Sequence, residues 1–539
     1  MRVDRLKPVP SAALRLSAAC VFVACAPLPG SQPAAERYDI LIAGGTVVDG
    51  TGAARFRADV AVRGDRIVRV SRGPMPPASA ARVIDATGRV VAPGFIDMHA
   101  HLDPLLELPR AQSMARQGVT LALGGPDGAS PYPLGPYLDS AQALGLGINV
   151  AFLVGHNTIR QRVMGLANRA PTTAELDRMK EMVARGMADG AFGISTGLKY
   201  LPGAFSRTDE VIALSRVAAD SGGIYTSHLR EEGLGLIEAV AEAIAIGRGA
   251  KIPVVLTHHK AVGRPMWGAS VRTLAMVDSA RRAGLDVMMD QYPYTATYTG
   301  ISVLVPSWAL AGGDTAFYRR LADPGDHRTI VDSIVFNLLN DRGGGDMRRV
   351  QFARVAWMQD LEGKTLFDWA VMQGDTTIRA GAELVIQAIR KGGANAIYHV
   401  LDEQDVERIM RHPQTMIGSD GRLVEPGDGH PHPRWYGTFP RVLGLYVREK
   451  GVLTLEQAVH KMTGLSAARL GLRDRGRVAE GMMADVVVFD PATVRDRATF
   501  TAPHEYPEGI EYVIVNGVPL VDGGRFTDAR PGRVLRHTP

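Results

Sequence analysis

The chain has 539 residues, 46% of them hydrophobic and 22% charged, with only two cysteines. That length accommodates a large barrel with an accessory domain, and the hydrophobic fraction is ordinary for a globular protein, which excludes wholesale disorder and a polytopic membrane protein. Both cysteines, Cys20 and Cys25, lie near the N-terminus, so the folded body has no disulfide framework, no cysteine-built zinc site and no catalytic thiol.

The N-terminus reads as an export segment. Arg2, Arg5, Lys7 and Arg15 precede the apolar run Leu16–Ala24. A basic stretch followed by a short apolar one is the pattern of a secretory signal. The run is shorter than the roughly 20 residues that span a bilayer. It ends at Phe22-Val-Ala-Cys25, which resembles a bacterial lipobox with a lipidated cysteine. This predicts a signal over 1–24 and a tether over 25–37. The chain is then exported, periplasmic or anchored at the outer membrane, with membrane contact only through the lipid. Of the formal net charge of +5, the signal carries +3 and the body +2. No basic stripe of the kind a nucleic-acid binder needs is present.

Residues 38–93 alternate apolar and polar positions and break at Gly-Gly and Gly-Asp, as short strands do. Ala484–Asp490 and Tyr512–Gly517 read the same way. The pattern predicts one small β-sandwich domain built from both chain ends, residues 38–93 and 469–539. Between them, over 94–468, apolar runs alternate with amphipathic stretches. The runs are Gly94–Met98, Thr120–Leu123, Ile148–Val154, Ala191–Ser195, Gly223–Thr226, Pro253–Leu256, Val287–Met289, Ala396–Val400 and Thr415–Gly418. The helical stretches include Thr173–Asp189, Thr208–Ser221, Ile237–Gly247 and Val271–Gly284. This alternation predicts an α/β fold, a (β/α)8 barrel of the TIM type, with an insertion over about 297–391.

The polar residues that end these runs carry the chemistry. His99 and His101, at i and i+2 on a strand, point to one side. His228 ends one apolar run, His258 the next, and Asp420 the last. Strand C-termini of a barrel converge on one mouth, so these residues can share a site. Nitrogen and carboxylate ligands favour zinc or a similar divalent ion. Zinc with an open position brings the pKa of bound water to about 7, and an acid/base at Asp420 can move its proton to a leaving amine. The reading is hydrolysis of an amide or related bond by metal-bound hydroxide.

With these residues the chain resembles the amidohydrolase superfamily, and within it the N-acyl-D-amino-acid deacylase (D-aminoacylase) family. The motifs are Pro93-Gly-Phe-Ile-Asp-Met-His-Ala-His101, Gly155-His-Asn-Thr-Ile-Arg160, Ser195-Thr-Gly-Leu-Lys-Tyr200, Ser227-His-Leu-Arg230, Thr257-His-His-Lys260, Asp290-Gln-Tyr-Pro-Tyr294, Gly418-Ser-Asp420 and His432-Pro-Arg-Trp-Tyr-Gly-Thr-Phe-Pro440. The resemblance implies that His228 and His258 hold the tighter metal, and that His99 and His101 serve a second position. It implies Asp420 as catalytic acid/base, and Lys260, Arg434, Tyr200 and Tyr292 as partners of the substrate carboxylate. One or two zinc ions per chain and a small N-acyl amino acid, plausibly of D configuration, follow from it. Alternatives are a dipeptidase or other amidase of the same branch, with Asp127 or Glu231 meeting the substrate ammonium, and a non-catalytic binding lipoprotein.

One position departs from the family pattern. Where members carry a cysteine after the second barrel strand, this chain has Asp127 in Gly124-Gly-Pro-Asp-Gly128. A carboxylate is a harder ligand that can bridge two divalent ions. Asp127 is expected to replace the thiolate; the alternative is that it only orients a histidine. Lys199 follows the fourth barrel strand and is expected to line the pocket or face solvent.

Overall fold

The computed structural model describes residues 7–10 and 37–538. Cys20, Cys25 and most of the expected signal and tether lie outside the described residues.

Eight short strands circle the barrel: Phe95–Asp97, Val119–Gly124, Asn149–Phe152, Gly193–Gly197, Ile224–His228, Val254–Leu256, Val287–Gln291 and Thr415–Ile417. Neighbours run parallel, the third meeting the fourth through its continuation Val154–Gly155. The circle closes where the Met98 amide donates to Ile417 O at 3.4 Å and Gly421–Arg422 runs parallel to Ala100–His101. These strands are buried on both faces, which is why they read as continuous apolar runs rather than as alternating ones. The helices Thr173–Ala188, Thr208–Asp220, Leu236–Ala250 and Ser270–Arg282 cover them where the periodicity predicts. Thr172 and Glu175 fix the first of these through a reciprocal capping box, a contribution of about 1 kcal/mol.

One expected barrel strand lies elsewhere. The run Ala396–Val400 overlaps the strand Asn395–Tyr398, which pairs antiparallel with both Thr297–Gly300 and Val350–Arg354. A short fully buried apolar run has the same pattern in either kind of sheet, so periodicity alone does not assign it. This small sheet carries a core of its own, including Ile334, Phe352, Trp369 and Tyr398. The insertion therefore extends past 391 to include this strand, and the helix Glu403–Arg411 leads from it to the last barrel strand.

The accessory domain joins strands from residues 38–93 with strands from residues 486–526 in one mixed nine-stranded sheet. Val486–Phe489 lies antiparallel to Val90–Pro93, which connects the C-terminal strands to the N-terminal ones. A buried polar knot ties this sheet to the barrel. The Asp485 carboxylate accepts from Arg475, from the Asn516 amide at 2.7 Å and from Asn149 Nδ2 at 3.3 Å. Asn149 opens the third barrel strand, and its Oδ1 also accepts from the Arg533 amide at 3.1 Å. The C-terminal segment then runs along that strand, with the Val150 amide donating to Arg533 O and that of Leu535 to Val150 O.

Removing one partner of a buried ion pair strands the other charge and typically costs about 3–5 kcal/mol. Asp485→Ala is accordingly expected to lower the thermal midpoint by several degrees, read by scanning fluorimetry. An unchanged midpoint would show that the knot does not hold the domains together.

Candidate active site

The C-terminal ends of the barrel strands place the predicted ligands together. His99 and His101 follow the first strand, His228 ends the fifth, His258 follows the sixth and Asp420 follows the eighth. Asp127 hangs from the loop after the second strand and lies among all four imidazoles. Its carboxylate oxygens are 3.3 Å from His258 Nε2, 3.5 Å from His99 Nε2, 3.6 Å from His101 Nε2 and 3.8 Å from His228 Nδ1. The donors divide into two groups, His99–His101–Asp127–Asp420 and Asp127–His228–His258, with Asp127 common to both.

The backbone holds these side chains at some cost. Asp127, His258 and Asp420 have φ of 54°, 36° and 48°, a left-handed conformation that costs about 1–3 kcal/mol for a residue other than glycine and that clusters at functional sites. Gly128 follows Asp127 at φ 77°, and a Cβ there would lie 2.1 Å from Asn157 Oδ1. Ser195 Oγ pins this loop, accepting from the Gly128 amide at 3.1 Å and donating to Gly125 O at 2.6 Å. Asp290 accepts from the His258 amide at 2.7 Å, and the Asp420 amide donates to His99 O at 2.8 Å. Asp97 accepts from the His99 amide at 3.1 Å and the Ser419 amide at 2.8 Å, so one carboxylate aligns the first and last strands.

Several buried polar atoms here have no hydrogen-bond partner: both nitrogens of His99, Nε2 of His228 and Oδ1 of Asp127. Buried polar atoms are rarely left so, and an unsatisfied set of imidazole nitrogens and a carboxylate is the donor chemistry of a divalent metal. The residues present therefore fit zinc.

The other predicted residues surround a cavity of about 320 Å³ at this cluster. The Tyr200 ring lies 4.3 Å from that of His228. Arg434 pairs with Asp420 at 3.0 Å and packs on Tyr292 at 4.6 Å. Arg434 Nε and Tyr292 Oη are buried beside the cavity without a hydrogen-bond partner, whereas Arg434 Nη1 is engaged by the Asp420 carboxylate. Lys260 also lines the cavity, but its ammonium already donates to His258 O at 2.8 Å, contacts His258 Nδ1 at 2.7 Å and pairs with Glu232. Lys199 does not enter; it pairs with Glu231 at 2.5 Å.

Sequence reasoning missed Glu232 and Arg342. Glu232, not its neighbour Glu231, is the buried carboxylate of the site, held by Lys260 and by Arg342 at 2.9 Å and lying 3.2 Å from His258 Nδ1. The adjacent pair Glu231-Glu232 offers no pattern that separates them, and Arg342 comes from the insertion, more than a hundred residues away in sequence.

The electrostatics follow from burial and crowding. Burial opposes charge on Asp420, but the Arg434 guanidinium and the His101 hydrogen bond outweigh it and hold the carboxyl well below its usual range. Burial likewise opposes the His101 and His258 imidazoliums. Asp127 and Asp420 nevertheless raise His101 to about 10, and Asp127 with Glu232 raises His258 to about 9. Burial dominates at His99, lowering it to about 4, and at Asp290, raising it to about 8.

Comparison with known proteins matches this arrangement. The Amidohydrolase family profile matches residues 82–304 and 336–521. A D-aminoacylase of Alcaligenes xylosoxydans xylosoxydans is 39% identical over 94% of this chain and 99% of its own length. The crystal structure of N-acyl-D-glutamate deacylase from Bordetella bronchiseptica, bound to zinc and a phosphonate mimic of the tetrahedral intermediate, is 37% identical with a TM-score of 0.78 and covers 93% of this chain and all 100% of that one. A D-aminoacylase with a binuclear metal centre, activated by one metal and attenuated by the second, is 38% identical with a TM-score of 0.78 and the same coverage of both chains.

Metal and protons compete for the same nitrogens. His101 and His258 are protonated at neutral pH in the metal-free site and must deprotonate to coordinate. Zinc binding is therefore expected to release protons, and its affinity to rise with pH until both imidazoles are neutral, near pH 10. Calorimetry in buffers of different ionisation heat reads the release; affinity independent of pH across the neutral range would contradict it.

Proposed function

The chain belongs to the amidohydrolase family, in the branch of the D-aminoacylases and N-acyl-D-amino-acid deacylases, and we propose that it is a zinc-dependent hydrolase releasing a free amino acid from N-acyl-D-amino acids. The observation that carries the reading is the buried His/Asp double cluster with Asp420 and Arg434 side by side at its edge. Zinc, when bound, supplies an activated water and polarises the acyl carbonyl.

In this reading His228 and His258, with Asp127, hold one ion, and His99, His101 and Asp127 the other. Asp127 serves as the shared ligand in place of a thiolate; its position common to both donor groups supports this. Asp420 is ionised at neutral pH, so it starts as a proton acceptor and passes the proton to the departing nitrogen. Arg434 meets the substrate carboxylate through its guanidinium, whose Nε is unpartnered, helped by Tyr292 Oη, while Lys260 adds positive charge to the same cavity. Tyr200 lines the same cavity, packed on His228. A dipeptide would need an uncommitted carboxylate for its ammonium group. Asp127, Glu232 and Asp420, the carboxylates lining the cavity, are each engaged by cations or imidazoles.

A hydrolysis screen of paired N-acyl-D and N-acyl-L amino acids with dipeptides tests the reading, which fails if only L or dipeptide members are cleaved. Asp420→Asn is expected to lower kcat by about 10²–10⁴-fold with zinc content unchanged. Asp127→Ala is expected to lower zinc per chain; full stoichiometry and affinity in that variant would remove its ligand role.

Export and lipid attachment at Cys25 complete the proposal, supported by the basic and apolar pattern of residues 2–25. Metabolic labelling with a fatty acid should mark the wild type and not Cys25→Ala. An unlabelled wild type would overturn the anchor.

A further inference from the structure

A second, larger space of about 850 Å³ adjoins the catalytic cavity. Both are lined by Tyr200, Leu201, Thr299 and Gly300, which form a common rim. Thr299 Oγ1 donates to Tyr200 Oη at 3.2 Å and fixes that rim. Beyond it the groove is lined by Val303, Pro306, Trp308 and Phe336 from the insertion, with Leu234 from the loop after the fifth barrel strand. Leu234, Trp308 and Phe336 are 45%, 37% and 52% exposed, a concentration of apolar surface that a lone domain seldom leaves open without use. Of the charged residues lining it, Lys199 pairs with Glu231 at 2.5 Å and Arg230 with Glu242 at 2.8 Å, while Asp341 is buried at its edge with Oδ1 unpartnered.

The direction of the substrate follows from the site. Asp420 delivers a proton to the departing nitrogen, so the amino-acid half lies on the Asp420–Arg434 side. Tyr200, against His228, stands on the rim that the cavity shares with the groove, and this rim offers the acyl half its way out of the cavity. We infer that this groove receives the acyl chain, and that the preferred substrates are N-acyl amino acids carrying medium or long fatty acyl groups. In the reaction, water adds across the amide. A bond forms between its oxygen and the carbonyl carbon, the C–N bond breaks, and the proton goes to nitrogen, giving a fatty acid and a free amino acid. The inference rests on the deacylase reading and adds the identity of the acyl group.

The test compares kcat/KM of the zinc-loaded full chain for N-acetyl, N-butanoyl, N-octanoyl and N-dodecanoyl derivatives of D-leucine and D-glutamate. Each buried methylene can contribute up to about fourfold, so a rise of at least about tenfold from acetyl to octanoyl is expected. In Trp308→Glu and Phe336→Glu the octanoyl-to-acetyl ratio should fall at least fivefold. Both positions are partly exposed, and thermal midpoints check folding. A flat chain-length series on a cleaved acetyl substrate overturns the inference while leaving the deacylase reading intact. A rise that neither variant diminishes overturns the placement of the chain in this groove. Variants that alter selectivity for the amino-acid side chain instead would assign the groove to that half and overturn it as well. Cleavage of no N-acyl amino acid at all would sink the underlying reading.

Discussion

A carboxylate buried among four imidazoles is the constraint on which this barrel mouth depends. Asp127 lies within 3.3–3.8 Å of nitrogens from His99, His101, His228 and His258. Neither charge sign is stable there alone. Burying an unpaired carboxylate costs several kcal/mol, and so does burying an imidazolium. Together, without metal, they share protons, and His101 and His258 stay charged while His99 stays neutral. A divalent ion meets the same electrostatic need with fewer protons. The left-handed backbone at Asp127, His258 and Asp420 is part of the same constraint. Packed strands and loop hydrogen bonds must over-determine these conformations, or the local chain would relax out of them.

The rest of the site is arranged around this charge. Glu232 carries a second buried negative charge, balanced by Lys260 and Arg342, and it touches His258 from the side away from Asp127. His258 therefore sits between two carboxylates with one ring atom toward each. Arg342 comes from the insertion, so that subdomain does more than cover the barrel. It contributes one wall of the polar site, through Arg342, Thr299 and Asn395, and the apolar residues of the adjoining groove. Insertion and barrel are thus coupled by charge as well as by packing.

Much of this was legible in the sequence, for a physical reason. Strands buried on both faces must be apolar along their length, so a histidine or aspartate at the end of such a run stands out. That contrast marks His99, His101, His228, His258 and Asp420. Asp127 was visible differently, as a carboxylate where the family pattern has a cysteine. What stayed hidden had no such contrast. Glu232 sits beside Glu231 in a loop, and only the fold tells which one turns inward. Arg342 lies in a glycine-rich turn of the insertion, where an arginine is unremarkable. Ala396–Val400 has the apolar pattern of a barrel strand but pairs antiparallel outside the barrel, because periodicity reports burial and not the partner.

In the proposed reading, a carboxylate at the position where the family pattern has a cysteine changes what the site can hold and endure. Thiolates favour softer ions, whereas an oxygen donor among imidazoles suits zinc and also accepts harder divalent metals. Its negative charge is spread over two oxygens, and each faces one imidazole of either donor group, Oδ1 facing His99 and His258 while Oδ2 faces His101 and His228. A single sulfur would have to serve both groups from one point. With Cys20 and Cys25 the only cysteines in the chain, the site also holds no ligand that oxidation to a sulfenic or sulfinic acid could remove. The trade is in proton competition: the Asp127 carboxylate stabilises the imidazoliums of His101 and His258, and a metal must displace those protons to bind there.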